Sequence, residues 1–353
     1  MLVKKWGGIV LAGLIVGLTA IMLGVFGNPA NMALCIACFI RDTAGAVGLH
    51  RAAPVQYIRP EIIGIVLGAF VLSIIKKEFA PRGGSSPFTR FVIAMCVMVG
   101  ALIFLGCPTR MVLRIAGGDL NAVIGCIGFA GGILTGIVFL NKGFTLKRSY
   151  EQPIAESAGT PVVSILMLVL LVAAPAFVFF SESGPGSQHA PLLLSLAGGL
   201  IAGAVAQRSR LCFVGGIRDA VLFKDFRMLI AFAVILVTVL AGNMITGNFN
   251  LGMEGQPIAH TEWVWNILGL YPVGLGSVLL GGCPLRQLVM AGSGNSDAGV
   301  TVLGFFAGAA ICHNFGLASS GDGTTQNGRI AFAVCAVALV TIAFANTKKA
   351  SPA

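Results

Sequence analysis

The sequence predicts an all-α polytopic membrane protein, and three observations carry this prediction. Hydrophobic residues make up 56% of the chain and charged residues only 10%, with a mean hydropathy of +0.92. A soluble chain of 353 residues could not bury that much apolar surface in one or two cores. Apolar runs of about 20 residues recur, which is the length that a helix needs to cross a bilayer. The 48 glycines fit this class, because small residues let membrane helices pack closely.

The apolar runs predict nine or ten spans and four shorter elements between them. The shorter elements are too short or too polar to cross the membrane, and at that depth irregular backbone must be buried in protein or line a cavity. We therefore expect them to re-enter as half-helices. The first span is too long for a signal-peptide core and is expected to be retained. The spans lie near residues 6–26, 60–77, 91–106, 120–140, 162–180, 192–208, 228–247, 264–281, 298–318 and 329–346, and the half-helices near 31–49, 107–118, 209–225 and 283–295.

The distribution of Lys and Arg predicts which loops face the cytoplasm. Loops 181–191 and 248–262 contain no Lys or Arg, so the positive-inside rule places them outside. Arg51 and Arg59 also fall outside and are the two exceptions. The pattern predicts a multi-pass protein of the bacterial inner membrane with both termini in the cytoplasm, and it explains the net charge of +10 without nucleic-acid binding. The residues expected inside are Lys4, Lys5, Lys76, Lys77, Arg82, Arg90, Lys142, Lys147, Arg148, Lys224, Arg227, Lys348 and Lys349.

Two motifs recur at an offset of about 176 residues, which predicts an internal duplication. Leu-Cys-x4-Ile-Arg-Asp occurs at 34–42 and 211–219, and Gly-Cys-Pro-x-Arg occurs at 106–110 and 282–286. One odd span, near 162–180, separates the copies and inverts the second, so half-helices should converge from both faces in an hourglass. Inverted repeats with broken helices are typical of transporters. The predicted boundaries are 1–145 for the first repeat, 146–185 for a cytoplasmic linker and connecting span, 186–320 for the second repeat, and 321–353 for a final span and tail.

The Gly-Cys-Pro-x-Arg motifs predict anion sites at the start of two half-helices. Proline is favoured at the first helical position, which makes the preceding cysteine the N-cap. The free N–H groups and the positive dipole end of such a terminus attract anions. The glycine lets a ligand or another backbone approach closely. The candidate residues for the substrate path are Gly106, Cys107, Pro108, Arg110, Gly282, Cys283, Pro284 and Arg286, with Cys35 and Cys212 from the other motif.

Four arginines occupy paired positions in the predicted half-helices. A charge at membrane depth costs at least about 2.5–3.5 kcal/mol, so it is seldom incidental. For Arg110 and Arg286 we expect attraction of the anion or support of its site. The other two precede aspartates, and adjacent helical positions point about 100° apart, so these neighbours need not bond each other. Their alternative role is as structural ion pairs that brace the hairpins. These supporting residues are Arg41, Asp42, Arg218 and Asp219.

Other sequence features leave two rival functions open. Cys35 and Cys38 form a Cys-x-x-Cys pair, typical of thiol oxidoreductases, but Gly215 stands in the second copy. The loop 141–160 could dock a partner, as in a membrane subunit that anchors an enzyme. His313 is expected to be a packing residue rather than part of a proton relay. The absence of a Walker loop, metal cluster, dinucleotide fingerprint or catalytic triad predicts a non-enzymatic transporter without cofactor or metal.

The inverted repeat and the two duplicated motifs together resemble the YeeE/YedE family of sulphur-transport membrane proteins, from about residue 8 to 346. The nearest branch is YedE, whose members are proposed selenium-compound transporters, while other members of the family take up thiosulfate. The resemblance implies an hourglass of spanning helices with short helices dipping in from each face. It also implies a small selenium or sulphur anion as substrate and a cytoplasmic sulphur-carrier protein as candidate partner.

The resemblance further implies how the cysteines act. Members of the family carry a sulphur anion inward past essential cysteines, whose thiols donate weak S–H hydrogen bonds without forming a lasting covalent bond. By motif, that role falls on Cys107 and Cys283, with Cys35 or Cys212 as further members of the series. This chain has a cysteine at all four matched positions as well as Cys38. Which outer thiol guards the entrance therefore stays open.

Overall fold

A computed structural model describes residues 2–347, without the side chains of residues 2–5. The side chains of Lys4 and Lys5, and all of Lys348 and Lys349, lie outside the described residues. Residues 82–83 and 150–151 form a two-residue antiparallel ladder, and the rest of the regular structure is helical. The helices are α1 (Leu2–Val25), α2 (Ile36–Ala46), α3 (Pro60–Ile75), α4 (Pro87–Phe104), α5 (Pro108–Ala116), α6 (Leu120–Asn141), α7 (Ile154–Ser157), α8 (Gly159–Ala173), α9 (Leu192–Ser209), α10 (Phe213–Phe223), α11 (Arg227–Thr246), α12 (Trp263–Leu280), α13 (Pro284–Gly292), α14 (Ser296–Asn314) and α15 (Gln326–Ala345).

Within the described part of the chain, nine helical segments are long and apolar enough to cross a membrane. This confirms the all-α polytopic class. The segment Pro87–Ala116 contains α4 and α5 with a break between them, and Trp263–Gly292 contains α12 and α13 in the same way. Each of these breaks falls at a Gly-Cys-Pro motif, because the proline cannot continue the preceding helix.

The predicted connecting span at 162–180 is wrong in its extent. The helix α8 covers only Gly159–Ala173, about 22 Å at 1.5 Å per residue. It ends because Pro175 disfavours helical backbone at the residue before it, and Ala174 adopts a left-handed conformation with φ +43°. The chain then runs across the end of α2, where the Phe179 N–H donates to the Ala46 carbonyl at 2.8 Å.

Glycine contacts fix the relative directions of the long helices. Gly64 of α3 lies against Leu196 of α9. One turn later, Gly68 lies against Leu200, so α3 and α9 run parallel. A Cβ at either glycine would clash with the backbone of α9, which is the close packing that small residues allow in membranes.

The same arrangement recurs when the two repeats are exchanged. Gly13 of α1 lies against Ala231 of α11, and Gly17 lies against Thr238, so α1 and α11 also run parallel. The pair α6 and α12 has its counterpart in α14 and α4. The contacts between helices therefore follow a twofold pseudo-symmetry that swaps the first repeat with the second.

The directions also show that the repeats are inverted and that the short helices add no crossings. Gly198, early in α9, lies against Thr19, late in α1, whereas Arg208 at the end of α9 shares a cavity with Ile9 at the start of α1. Thus α1 and α9, the first helices of their repeats, are antiparallel. Since α3 is parallel to α9, it opposes α1, and α2 between them does not cross. The same reasoning holds for α5, α10 and α13. The exact repeat boundaries stay a prediction.

Two of the loops that the charge pattern places on the same side lie together in the structure. Ser85, in the loop after α3, donates from Oγ to the Leu146 carbonyl at 2.7 Å, so two of the basic loops lie together. Of the two exceptions, Arg59 is fully buried and Arg51 stacks over the Phe179 ring, 3.9 Å from its centroid. Because Arg59 is buried rather than exposed in a loop, it does not count against the positive-inside rule.

Candidate substrate path

Each of the four short helices starts immediately after a cysteine. Cys35 and Cys212 cap α2 and α10, and each Sγ accepts from the backbone N–H three residues on at 3.4 Å. Cys107 and Cys283 occupy the N-cap positions of α5 and α13 with extended backbone and a proline at the next residue. The thiols therefore stand at helix termini whose unpaired N–H groups carry partial positive charge.

Three thiols of the first repeat form one buried group, here called the first-repeat thiol cluster. The Cys35 Sγ lies 2.9 Å from the Cys38 Sγ and 3.9 Å from the Cys107 Sγ. All three side chains are enclosed by protein. Cys35 therefore connects the N-terminus of α2 with the N-terminus of α5.

The second repeat contains a simpler group, the second-repeat thiol pair. The thiols of Cys212 and Cys283 interact with each other, which links the N-termini of α10 and α13. Gly215 occupies the position that corresponds to Cys38. Cys212 is 7% exposed, whereas its counterpart Cys35 is fully buried.

All three guanidinium nitrogens of Arg110 in the first repeat donate hydrogen bonds to backbone carbonyls. Its Nε donates to the Asn31 carbonyl at 3.3 Å, and its Nη2 donates to the carbonyls of Pro257 and Ile258 at 3.1 and 3.2 Å. Its Nη1 donates to the Leu105 carbonyl. These bonds pin the end of α4, the loop after α1 and the loop before α12 to one guanidinium, so Arg110 has a structural role whatever else it does.

Arg286 of the second repeat is held differently. Its Nη1 is buried, and no group in the described part of the chain accepts a hydrogen bond from it. Cys212, Cys283 and Arg210 are the charged or ionisable groups that act on it electrostatically. A buried cationic donor without an acceptor, beside two thiols and another arginine, is suited to an anionic ligand.

The glycines and prolines of the motifs have a role that differs in part from the prediction. A Cβ on Gly106 would lie 2.8 Å from the Arg110 Cδ, and a Cβ on Gly282 would lie 2.8 Å from the Arg286 Cγ. Each glycine thus makes room for the arginine of its own motif rather than for another backbone. The prolines, Pro108 and Pro284, begin α5 and α13 as predicted.

The paired arginines and aspartates bond each other, which the sequence analysis left open. Arg41 Nη2 lies 2.7 Å from the Asp42 carboxylate, and Arg59 Nη2 binds the other oxygen at 2.7 Å. Long arginine side chains reach across the angle that separates adjacent helical positions. Arg218 bonds Asp219 at 2.8 Å, but this pair is about a quarter exposed rather than buried. Sequence reasoning missed Arg59, although an arginine in a loop predicted to be external was a signal.

His313 lies beside a second histidine that the sequence analysis did not single out. The ring of His50 is 4.6 Å from that of His313, and the His50 Nε2 lies 2.9 Å from the Arg41 carbonyl oxygen. The His313 Nε2 is buried, and no described residue bonds it. The pair packs behind α2, away from its N-terminus.

Two cavities lie near the opposite ends of α1, and a much smaller one lies between the two repeats. A cavity of about 10 Å³ lies between the repeats, with room for about one water molecule. Its lining residues adjoin the cysteines and include Leu34, Ile36, Thr109 and Leu285. A cavity of about 160 Å³ lies where α1 and α11 end, and one of about 400 Å³ lies at the opposite end of α1.

Inverted repeats with broken helices that meet inside the membrane are an arrangement typical of transporters. Residues 208–347 match the family model described as Sulphur transport. The thiosulfate transporter TsuA of Escherichia coli is 28% identical over 120 residues, which is 34% of this chain and 34% of that protein. TsuA of Spirochaeta thermophila is 31% identical over 112 residues, 31% of this chain and 33% of that protein. The chain therefore matches each of these relatives over about a third of its length. The family-model match and the two relatives support the resemblance to the YeeE/YedE sulphur-transport family.

Proposed function

We propose that this protein imports a small sulphur anion, thiosulfate above all, through the region between its two thiol groups, and that it acts as a transporter rather than an enzyme. The observation that carries the proposal is the pairing of thiols at half-helix N-termini, with the Nη1 of Arg286 left without a protein acceptor. The names of the two relatives support thiosulfate as the substrate.

The chemistry of the lining suits a large, weakly hydrated anion. A thiol is polarizable and donates only a weak hydrogen bond, so it replaces part of the hydration of a soft anion without trapping it. Helix N-termini add positive potential without a full charge. Several weak sites in series allow both binding and release, which conduction requires. Cys35, Cys107, Cys283 and Cys212 provide such a series, with Arg110 and Arg286 next to it.

Passage requires the centre to open. The central cavity of about 10 Å³ has room for a water molecule but not for an oxyanion with several heavy atoms. Of the short helices that bound it, α5 and α13 follow their spanning helices after short breaks at the Gly-Cys-Pro motifs, where small rotations move the N-termini. We propose that α5 and α13 shift apart as the anion moves between Cys107 and Cys283.

The finer expectations from the family resemblance remain part of this proposal. Inward transport and a sulphur-carrier protein at loop 141–160 are what the resemblance implies, and a bacterial inner membrane with cytoplasmic termini is what the charge pattern predicts. Selenium compounds are the substrate that the YedE resemblance implies, and the relatives compared here are named for thiosulfate instead. Selenite therefore enters the test as a competitor.

The decisive experiment is uptake of radiolabelled thiosulfate by the purified protein in liposomes. We expect Cys107→Ala and Cys283→Ala each to abolish uptake, and excess unlabelled selenite, selenate or sulfate to rank the substrates by competition. Cys126→Ala is the matched control, because Cys126 lies on α6 outside both thiol groups. Uptake that persists in both path variants would disprove the thiol path. Uptake by the protein alone would also exclude a purely anchoring subunit.

One contact favours a second candidate function, a membrane thiol oxidoreductase. The Cys35 and Cys38 thiols are 2.9 Å apart, close enough to form a disulfide after a small movement. That function requires a Cys35–Cys38 disulfide that cycles with a quinone or a protein partner. Mass spectrometry of protein purified in air tests it, and fully reduced cysteines would exclude the redox role.

A further inference from the structure

Glu61 is a buried carboxyl group that the thiol path does not use. It lies in the first turn of α3, directly after Pro60, and its side chain is fully buried. Its Oε1 accepts from the Asn28 Nδ2 at 2.7 Å and from the Ser195 Oγ at 3.0 Å. No group among residues 2–347 bonds its Oε2. Glu61 falls within the segment Ala53–Ile75, which is long and apolar enough to cross a membrane.

The nearest cation does not neutralise Glu61. Arg59 directs its guanidinium to Asp42 and to the carbonyls of Gln188 and Pro185. No described salt bridge includes Glu61, so its charge, when present, is balanced only by neutral donors and the N-terminus of α3. Ionisable residues inside a membrane without a partner are costly, and they commonly belong to ion or proton pathways.

The second repeat shows that packing does not require this carboxyl. Gly199 of α9 lies against the Glu61 carbonyl, and Gly13 of α1 lies against the Ala231 carbonyl in the exchanged pair. Glu61 and Ala231 therefore occupy equivalent positions. Since an alanine supports the same helix contact, the buried acid in the first repeat is an addition to the fold and needs another explanation.

Few charged groups surround Glu61. The helices α8 and α13 approach α3 with uncharged side chains that include Val163, Met167 and Leu288. The remaining ionisable or charged groups nearby are Arg59, Tyr57, Asp42 and His189, the last stacked on Tyr57 at 4.1 Å.

A single side chain joins Glu61 to the candidate substrate path. Besides bonding Glu61, the Asn28 Nδ2 donates to the Ala33 carbonyl at 3.2 Å. Asn28 and Ala33 both line the cavity of about 160 Å³ at the end of α1, and Ala33 is two residues from Cys35. A change in charge at Glu61 therefore reaches the approach to the first-repeat thiol cluster through one hydrogen bond.

We propose that Glu61 binds a proton from one face and releases it to the other in each cycle, so that anion uptake is coupled to proton entry. This inference rests on the proposed function, because it supplies the driving force for the same path. The step is a simple protonation: the carboxylate takes up one proton as the anion binds and loses it as the anion leaves. The proton reduces the net charge that must cross the closed centre.

The test uses the full chain in liposomes with the membrane potential clamped at zero. For one proton per cycle, an inward gradient of one pH unit should support about tenfold accumulation of labelled thiosulfate, with matching acidification reported by a trapped dye. Glu61→Gln should still exchange labelled for unlabelled thiosulfate, but a pH gradient should no longer drive accumulation. The control is Glu78→Gln at the exposed end of α3, which should behave as the wild type.

Several outcomes would overturn the proposal. Accumulation by the wild type that ignores the pH gradient, or that follows a sodium gradient, excludes proton coupling. Accumulation by Glu61→Gln that follows the pH gradient excludes Glu61 as the site. If Glu61→Gln does not fold, Ser195→Ala replaces it: loss of a donor to the carboxylate should move the midpoint of coupled uptake to higher pH, and an unmoved midpoint counts against the proposal. A wild type that neither accumulates nor exchanges thiosulfate refutes the transport function itself.

Discussion

The two repeats share their motifs and helix order, yet they hold their arginines in opposite ways. Arg110 gives hydrogen bonds from all three guanidinium nitrogens to fixed carbonyls, whereas the Nη1 of Arg286 is buried with no acceptor among the described residues. Both arginines sit over the glycine of their own motif. The fold therefore accepts either arrangement. The comparison indicates that the first copy fixes the structure, and the unpaired donor of the second copy is the basis for the ligand-binding role proposed for it above.

The arginine–aspartate pairs show the same contrast. Asp42 lies between Arg41 and Arg59, and all three side chains are buried. Asp219 forms one ion pair among the described residues, with Arg218 at 2.8 Å, and both side chains are about a quarter exposed. Water can solvate the second pair but not the first, so the two aspartates should differ sharply in their contribution to stability.

The largest difference is expected from replacing these aspartates. Asp42→Asn leaves two buried guanidinium groups without a counter-ion and should lower the free energy of unfolding by about 3–5 kcal/mol. Asp219→Asn removes a partly exposed pair and should cost at most about 1 kcal/mol. Thermal and denaturant unfolding of both variants in the same detergent measures the difference. Equal losses would show that burial does not distinguish the two pairs.

Replacing the arginine of each Gly-Cys-Pro-x-Arg motif should affect substrate affinity in the second repeat and stability in the first. Arg286→Gln removes a charged donor that the protein leaves free, so the Kd for thiosulfate should rise by about 10–100-fold, the equivalent of about 1.5–3 kcal/mol. Stability should hardly change. Arg110→Gln leaves several buried carbonyls without their donor and should mainly lower stability. Calorimetric titration together with unfolding curves tests both. An unchanged Kd in Arg286→Gln would remove Arg286 from the binding site.

The sequence predicted the fold better than it predicted the site. The short helices were found because Gly-Cys-Pro interrupts an apolar run with a residue that lacks an N–H, a local effect that any context preserves. The extent of α8 was missed because the apolar run continues beyond Pro175, and hydropathy alone does not register where the helix must end.

The long-range partners were beyond the sequence for a physical reason. The bond from Arg59 to Asp42 spans 17 positions, and the bond from Ser195 to Glu61 spans 134. Such contacts depend on how helices pack, not on local spacing. The free Nη1 of Arg286 could not be predicted either, because its motif is identical in pattern to that of Arg110.

The smallest expected effect concerns the residue before each motif. Gly281 adopts φ +83°, and nothing lies within 4 Å of where its Cβ would be. Its counterpart, Leu105, adopts φ +63° with a side chain in place. Gly281→Ala should therefore lower the free energy of unfolding by only about 1–2 kcal/mol, the cost of left-handed backbone in a non-glycine residue, and leave the Kd for thiosulfate unchanged. Denaturant unfolding and titration of this single variant test the point. A loss of unfolding free energy well above 2 kcal/mol, or a higher Kd for thiosulfate, would contradict this expectation. Either result would mean that the second repeat needs a flexible hinge where the first repeat has a rigid one.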